Sequence, residues 1–516
     1  MDRVRNSRED KLCSVSEAIG MICDGNTIAC SGFVGAGHPE ALTAELERRF
    51  LESGSPQNLT IAYAAGQGDG KSRGLNHVAH KKLIRRVVGG HWALAPGLGK
   101  LASEGEIEAY NFPQGVMCQL YRDIAAGRPG CITHIGLDTF IDPALQGGRL
   151  NQNSPESLVE RIELGGKTWL WYKSFPINIG FIRATAADPL GNLVMDKEAM
   201  IGDVLPISQA VHNCGGIVIA QVEHLVDEPV NPQHVRVPGI LVDRIIIADT
   251  HEHHQTYGEV YNCDYCLPHK CGQKIGADLG RLAMDERRII AIRACDEVGE
   301  NAVANLGIGM PEGIARIAAE RGILHKLILT VESGPIGGMP AGGLSFGASM
   351  HPDAIIDQPS QFDFYDGGGL DFAALGAAQI DSCGNVNVSK FGPRLAGVGG
   401  FVNITQTAKR LVFCGTFTAS GLEIAVENGI LRIVKEGTVR KFREQVEQIS
   451  FSAKRAKSVG QEVLYVTERA VFRLIDGGLE LVEVAPGIDI QEQIVKLMDF
   501  VPVMKNVKKM AEHCFK

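Results

Sequence analysis

Twice along the chain a short apolar run ends in a glycine turn, a proline and a glutamate, and an amphipathic helix begins. The first copy runs from Thr27-Ile28-Ala29-Cys30 into Gly35-Ala36-Gly37-His38-Pro39-Glu40. The second runs from Ala302-Val303-Ala304-Asn305-Leu306 into Gly307-Ile308-Gly309-Met310-Pro311-Glu312. Apolar residues recur at Leu42, Leu46 and Phe50, and at Ile314, Ile317 and Ala318, the spacing of one buried helical face. Each proline is expected at the first helical position, where its missing N–H costs nothing. A second pair of landmarks follows in the same order, Asp188-Pro189-Leu190-Gly191-Asn192 and Asp381-Ser382-Cys383-Gly384-Asn385. Another apolar run comes after each, Gly216–Ala220 and Arg410–Cys414. This predicts an α/β fold of two related domains, with mostly parallel sheets covered by helices, born of internal duplication. We place the division at 1–280 and 281–516, within the polar Gly272–Asp285 region; 516 residues suit two large units.

Charge and cysteine usage weigh against several classes. Lys and Arg number 51 against 60 Asp and Glu, a net charge of −9, with no basic run longer than Lys81-Lys82, which disfavours a nucleic-acid binder. Thirteen scattered cysteines read as reduced thiols. Residues 1–10 carry no apolar signal core, and no apolar stretch approaches the roughly 18 residues of a membrane span. A cytoplasmic protein, bound neither to nucleic acid nor to membrane, is the expectation.

Glycine is 61 of 516 residues, about 12% against a usual share of about 7%. The turns at Gly35/Gly37 and Gly307/Gly309 lack the third glycine of a dinucleotide fingerprint, and no lysine-bearing phosphate loop occurs. They remain candidate substrate-binding backbone, because glycine lets a ligand approach closely. The densest stretch, Val331–Gly347, follows the apolar run Leu327-Ile328-Leu329-Thr330 and holds six glycines after Glu332, with no basic side chain. Ligands of parallel sheets bind beyond the carboxyl ends of strands, which makes Glu332 a candidate catalytic acid, base or nucleophile. Asp363, Asp366 and Asp371 lack the spacing of a calcium loop and read as turn residues.

Three signatures together resemble the family I coenzyme A transferases, of the 3-oxoacid CoA-transferase family, nearest the acetate/propionate type. They are Asp24-Gly25 with Gly32-Phe33 and Gly37-x-Pro39, the triplet Glu332-Ser333-Gly334, and Asp381-x-x-Gly384-Asn385-Val386-Asn387-Val388-Ser389-Lys390-Phe391-Gly392. The resemblance covers nearly the whole chain, in family order. It implies an alpha-subunit-like first domain and a beta-subunit-like second domain that carries the nucleophile, Glu332, which becomes a glutamyl-CoA thioester. Gln114, in Pro113-Gln114-Gly115, and Gly399 and Gly400, in Gly397-Val398-Gly399-Gly400, resemble the oxyanion donors. Ser333 and Gly334 join the implied substrate- and CoA-binding residues. Ser333 stands where oxoacid-specific members have asparagine, which points toward simple short-chain acids.

The implied chemistry is ping-pong exchange between acyl-CoA and short-chain carboxylates, with coenzyme A as co-substrate, no cofactor and no metal. A homo-oligomer, dimer or tetramer, is expected. Cys263, Cys266, His269 and Cys271 have zinc-ligand types, but their spacing is too compressed for a usual second pair, and a polar loop is the default. The alternatives are an acyl-CoA hydrolase on the same scaffold and a non-catalytic CoA- or acid-binding protein.

Overall fold

The computed structural model describes residues 8–268 and 280–516. His269, Cys271 and part of the expected domain boundary lie outside the described residues. In the first half, seven strands of an eight-stranded sheet lie side by side: β1 (Thr27–Cys30), β2 (Leu59–Tyr63), β3 (Ile84–Gly89), β4 (Glu108–Asn111), β5 (Ile179–Ala187), β6 (Ile217–Leu225) and β7 (Arg244–Ile247), while the short strand Leu193–Val194 pairs antiparallel with β5. Their order is β7-β6-β5-β1-β2-β3-β4, and every neighbouring pair is parallel. A sheet covered on both faces buries its strands on both sides, and all nine residues of β5 are buried, mostly apolar with Arg183 and Thr185 among them.

The second half repeats this pattern. Strands β8 (Val303–Leu306), β9 (Ile328–Thr330), β10 (Phe372–Gly376), β11 (Arg410–Cys414) and β12 (Glu462–Val466) run parallel in the order β9-β8-β10-β11-β12. This matches β2-β1-β5-β6-β7. In both sheets the order reverses beside the first strand, which opens a crevice at the strands' carboxyl ends. Antiparallel strands Ala470–Ile475 and Gly478–Val484 extend the second sheet beyond β12.

The repeated aspartate landmarks are hairpins with the same bonding. Asp188 Oδ1 accepts the N–H groups of Leu190 and Asn192, both at 2.9 Å, and Asp381 Oδ1 accepts those of Cys383 (3.0 Å) and Asn385 (2.9 Å). In each, the Asn side chain donates back to Oδ2 at 3.0 Å. Gly191 and Gly384 close the turns at φ +74° and +92°, open to glycine at little cost. The landmark is structural.

Helix α1 (Glu40–Ser53) buries Leu42 and Leu46 on β1, while α2 (Gln114–Ala125) follows β4. Helix α3 (Glu312–Glu320) follows β8, and α4 (Phe401–Thr407) precedes β11. Pro39 and Pro311 cap α1 and α3 rather than opening them, one position earlier than the spacing predicts. Both glutamates that follow are the first helical residues, and each proline carbonyl accepts the first bond of its helix. One buried apolar cluster runs from Ile28 and Leu59 through Phe362 to Phe401 and Phe472, so the halves share a core. No helix among the described residues is long and apolar enough to cross a membrane.

Candidate active site

The carboxyl ends of the two sheets face one another across a cavity of about 300 Å³. From the first half, Phe33 and Val34 reach it beyond β1, Gly66 beyond β2, His91 and Leu94 beyond β3, and Gln114 beyond β4. From the second half come Gly307 and Ile308 beyond β8, Glu332 beyond β9, Leu375 and Gly376 at the end of β10, and the segment Gly397–Phe401. Among the described residues three lining side chains are polar: His91, Gln114 and Glu332.

Glu332 is buried, at 8% exposure, and its Oε2 accepts one side-chain hydrogen bond, from Asn305 Nδ2 at 3.1 Å. Asn305 is the one polar residue of β8 at that strand's end, and its amide also contacts Thr330 O (3.3 Å) and the Tyr365 hydroxyl (3.4 Å). Burial pushes the Glu332 carboxyl above its ordinary range, opposed by a backbone N–H and the Asn305 amide. Among the described residues no cation offsets its desolvation. Such a carboxylate is destabilised as an anion and is correspondingly reactive toward a carbonyl.

Gln114 begins α2, held by its own N–H to Gly399 O at 2.9 Å, while Gly115 N–H donates to Asn403 Oδ1 at 3.2 Å. Both bonds cross between the halves. The Gln114 side chain is buried, and its Nε2 has no hydrogen-bond partner. An unsatisfied buried donor beside a reactive carboxylate is unfavourable in the resting protein, and it is repaid when an oxyanion forms there. Gly400 lies against the nucleophile: a Cβ on it would stand 3.5 Å from Glu332 Cγ.

The other expected site residues are placed as follows. The Gly399 N–H donates to Gly90 O at 2.7 Å. The Gly399 carbonyl holds Gln114. Gly35, Gly37, Gly309, Ser333 and Gly334 do not line the cavity. A Cβ on Gly35 would fall 2.3 Å from the Tyr257 ring, so this glycine is needed for packing behind the wall. Gly37 turns at φ +66° against Met200, and Gly309 N–H caps Glu312 Oε1 at 2.9 Å. Ser333 Oγ donates to Gly347 O, and a Cβ on Gly334 would meet Ile356 O at 2.0 Å. These two shape the turn that presents Glu332. Gly307 does line the cavity, with Leu375 packed against it.

His91 and Asn305 escaped the sequence reading. His91 follows the strand-end pair Gly89-Gly90, the signal that could have found it. A Cβ on Gly66 would come within 2.6 Å of its Nδ1, so Gly66 makes room for the ring. Burial, aided by the charge of Arg394, pulls the His91 pKa down to about 4, so the imidazole is neutral at neutral pH.

The three aspartates each have their own partners: Asp363 takes Arg122 (2.7 Å), Asp366 takes Asn403 (2.9 and 3.1 Å) and Asp371 takes Lys409 (2.8 Å). Cys263 is exposed, and Cys266 Sγ bonds the Cys263 carbonyl at 3.5 Å, a short 3₁₀ turn.

Known proteins resemble this chain along almost its whole length. The family description "Coenzyme A transferase" matches residues 13–248. Acetate CoA-transferase YdiF of Escherichia coli K12 is 42% identical over 513 residues, 98% of this chain and 95% of that protein. Caffeate CoA-transferase of Acetobacterium woodii is 41% identical over 515 residues, 98% and 97% of the two chains. The crystal structure of YdiF from E. coli O157:H7 in a thioester complex with CoA superposes with a TM-score of 0.92 at 40% identity, covering 98% of this chain and 96% of that one. With that identity over that length, on a fold whose two sheets enclose a buried glutamate, the chain belongs to the coenzyme A transferase family.

Proposed function

We propose that the protein moves coenzyme A between short-chain acyl groups and carboxylates through a glutamyl-CoA thioester on Glu332. The observation that carries this reading is the buried Glu332 carboxylate, without a cation, in one cavity with the unpaired Gln114 amide. Glu332 attacks the acyl carbonyl of acyl-CoA, the C–S bond breaks, and an acyl-glutamyl anhydride and CoA thiolate result. The thiolate attacks the glutamyl carbonyl and expels the first acid as its carboxylate, leaving glutamyl-CoA. A second carboxylate reverses both steps and departs as a new acyl-CoA. Each attack places negative charge on a carbonyl oxygen, which Gln114 Nε2 receives, with Gly400 as the backbone neighbour.

The cavity wall favours an acid over water as acceptor. Beside its glycines, every lining residue other than His91, Gln114 and Glu332 is apolar, which is support for transfer over hydrolysis. The related proteins are named for acetate and for caffeate, so kinship alone leaves the acyl group open. The same reading includes a division at residue 280, a cytoplasmic location, CoA as the sole non-protein reactant besides the acids, and a dimer or tetramer. Sedimentation as a monomer at micromolar concentration would contradict the last. Initial-rate exchange between acetyl-CoA and a panel of carboxylates tests the activity: parallel double-reciprocal lines are expected, and CoA released without transfer would contradict it.

A further inference from the structure

We infer that the acid exchanged at Glu332 is a monocarboxylate with an apolar tail larger than that of acetate, and that dicarboxylates are rejected. The inference rests on the transferase reading and concerns the same cavity. Among the described residues its polar side chains are His91, Gln114 and Glu332, and the last two would meet the reacting carboxyl group. The rest of the lining is glycine backbone and apolar side chains. Phe33 and Phe346 stand with ring centroids 5.5 Å apart, and Leu375 and Phe401 are buried beside them. An acetyl group would leave this wall uncovered. A longer tail would bury it, and each methylene removed from water favours binding by about fourfold.

The mouth extends the same surface. Ile308 and Leu344 are large apolar side chains that remain 53% and 40% exposed at the cavity. Among the described residues no lysine or arginine belongs to the lining, and Arg394, the cation acting on His91, is an exposed residue outside it. A second carboxylate on the tail would lose its hydration with nothing to pair it. The neutral His91 ring offers a carboxylate one N–H donor and no charge.

The arm of CoA enters the same cavity in every turnover, so its fit alters the kinetics for all acids alike. Tail preference is therefore read as a difference between acids at one fixed donor. With acetyl-CoA as donor, initial rates with propionate, butyrate, hexanoate, 3-phenylpropanoate and succinate give kcat/KM for each acceptor. The expected series rises by about fourfold per methylene from propionate to hexanoate. 3-Phenylpropanoate should exceed propionate, and succinate should fall at least about 100-fold below butyrate, as an unpaired buried charge requires. Exchange that is intact but flat or falling with tail length, or succinate within tenfold of butyrate, overturns the inference and leaves the transferase reading standing. No exchange with any acid overturns both. The variant Leu344→Lys, at a half-exposed position that tolerates a long polar side chain, should raise the succinate-to-butyrate ratio at least about tenfold. An unchanged ratio contradicts the placement of the tail along this wall.

Discussion

Two glutamates, one in each half, are buried almost equally, yet their surroundings drive them in opposite directions. Glu40, at 5% exposure, opens the helix after β1; Glu332, at 8%, follows β9. Burial alone would raise both carboxyls. At Glu40 that effect is overcome by His77 Nε2 (3.1 Å), the Gly74 N–H (3.0 Å), the Tyr257 hydroxyl (2.5 Å), Arg73 Nε (3.4 Å) and the nearby His38, which together hold it well below the usual carboxylate range. At Glu332 one amide is too little, and the carboxyl stays high. The fold duplicates its strands and turns, but it surrounds one acid with donors and leaves the other short of them. Structural and reactive carboxylates differ here in partners rather than in burial.

The largest effect that would break this comparison is on turnover. Glu332→Gln should lower exchange by at least about 10⁴-fold, as loss of a nucleophile does, while Glu40→Gln should leave kcat within about tenfold; steady-state rates of the two purified variants decide. Next, Gln114→Ala should lower kcat by about 10²- to 10³-fold with little change in KM for acyl-CoA, because the amide acts on charge that develops in the transition state. Equal activity would remove Gln114 from the site.

Stability should separate the two acids with opposite sign. The folded-state pKa of Glu40 is depressed, so its stabilising contribution is present above the unfolded value of about 4.3 and is lost as pH falls through the folded one. Glu40→Gln should therefore cost about 3–5 kcal/mol at pH 7 in urea unfolding, and less as pH drops below about 4.3. For Glu332 the folded pKa is raised. Its contribution is present below the unfolded value and is lost as pH rises through the folded value, so Glu332→Gln should raise Tm at pH 8. A destabilised Glu332→Gln protein at pH 8 would contradict the assignment of strain to the ionised site.

The smallest effect is on pH dependence. Formation of glutamyl-CoA from acyl-CoA should fall as pH drops through the raised Glu332 pKa, since only the carboxylate attacks. Asn305→Ala removes the side-chain donor to Glu332 and should move that limb upward. His91, titrating near pH 4, should leave the neutral range flat. Discharge of isolated glutamyl-CoA by an acid should lack the Glu332 limb altogether. Single-turnover rates between pH 4.5 and 8 measure both half-reactions.

Much of the architecture was legible because duplication printed it twice: β1 with its glycine turn and β8 with its own, and the Asp188 and Asp381 hairpins. Glu332 was legible as a lone acid at a strand end amid glycine. The roles of individual glycines were not. Gly35 and Gly334 are required by Tyr257 and Ile356, residues far along the chain or across a turn, and only packing reveals that they face away from the cavity. The Gly399 N–H is engaged by the carbonyl of Gly90, about 300 positions earlier, beyond the reach of any local motif. His91 becomes notable once its strand end is set opposite the other half, and Asn305 once β8 is laid beside β9, which brings it to Glu332. The apolar wall was equally hidden, since Phe33, Phe346 and Leu375 carry no mark that distinguishes a cavity from the core.

The central claim is that Glu332 carries coenzyme A covalently, and the mass of the protein tests it. Enzyme incubated with propionyl-CoA and no added acid should gain the mass of CoA less one water. Peptide mapping after hydroxylamine treatment should place a hydroxamate on Glu332 and nowhere else, and the adduct should vanish when excess carboxylate is added. CoA mass on a cysteine, or steady release of CoA to water with no adduct at Glu332, would contradict the account.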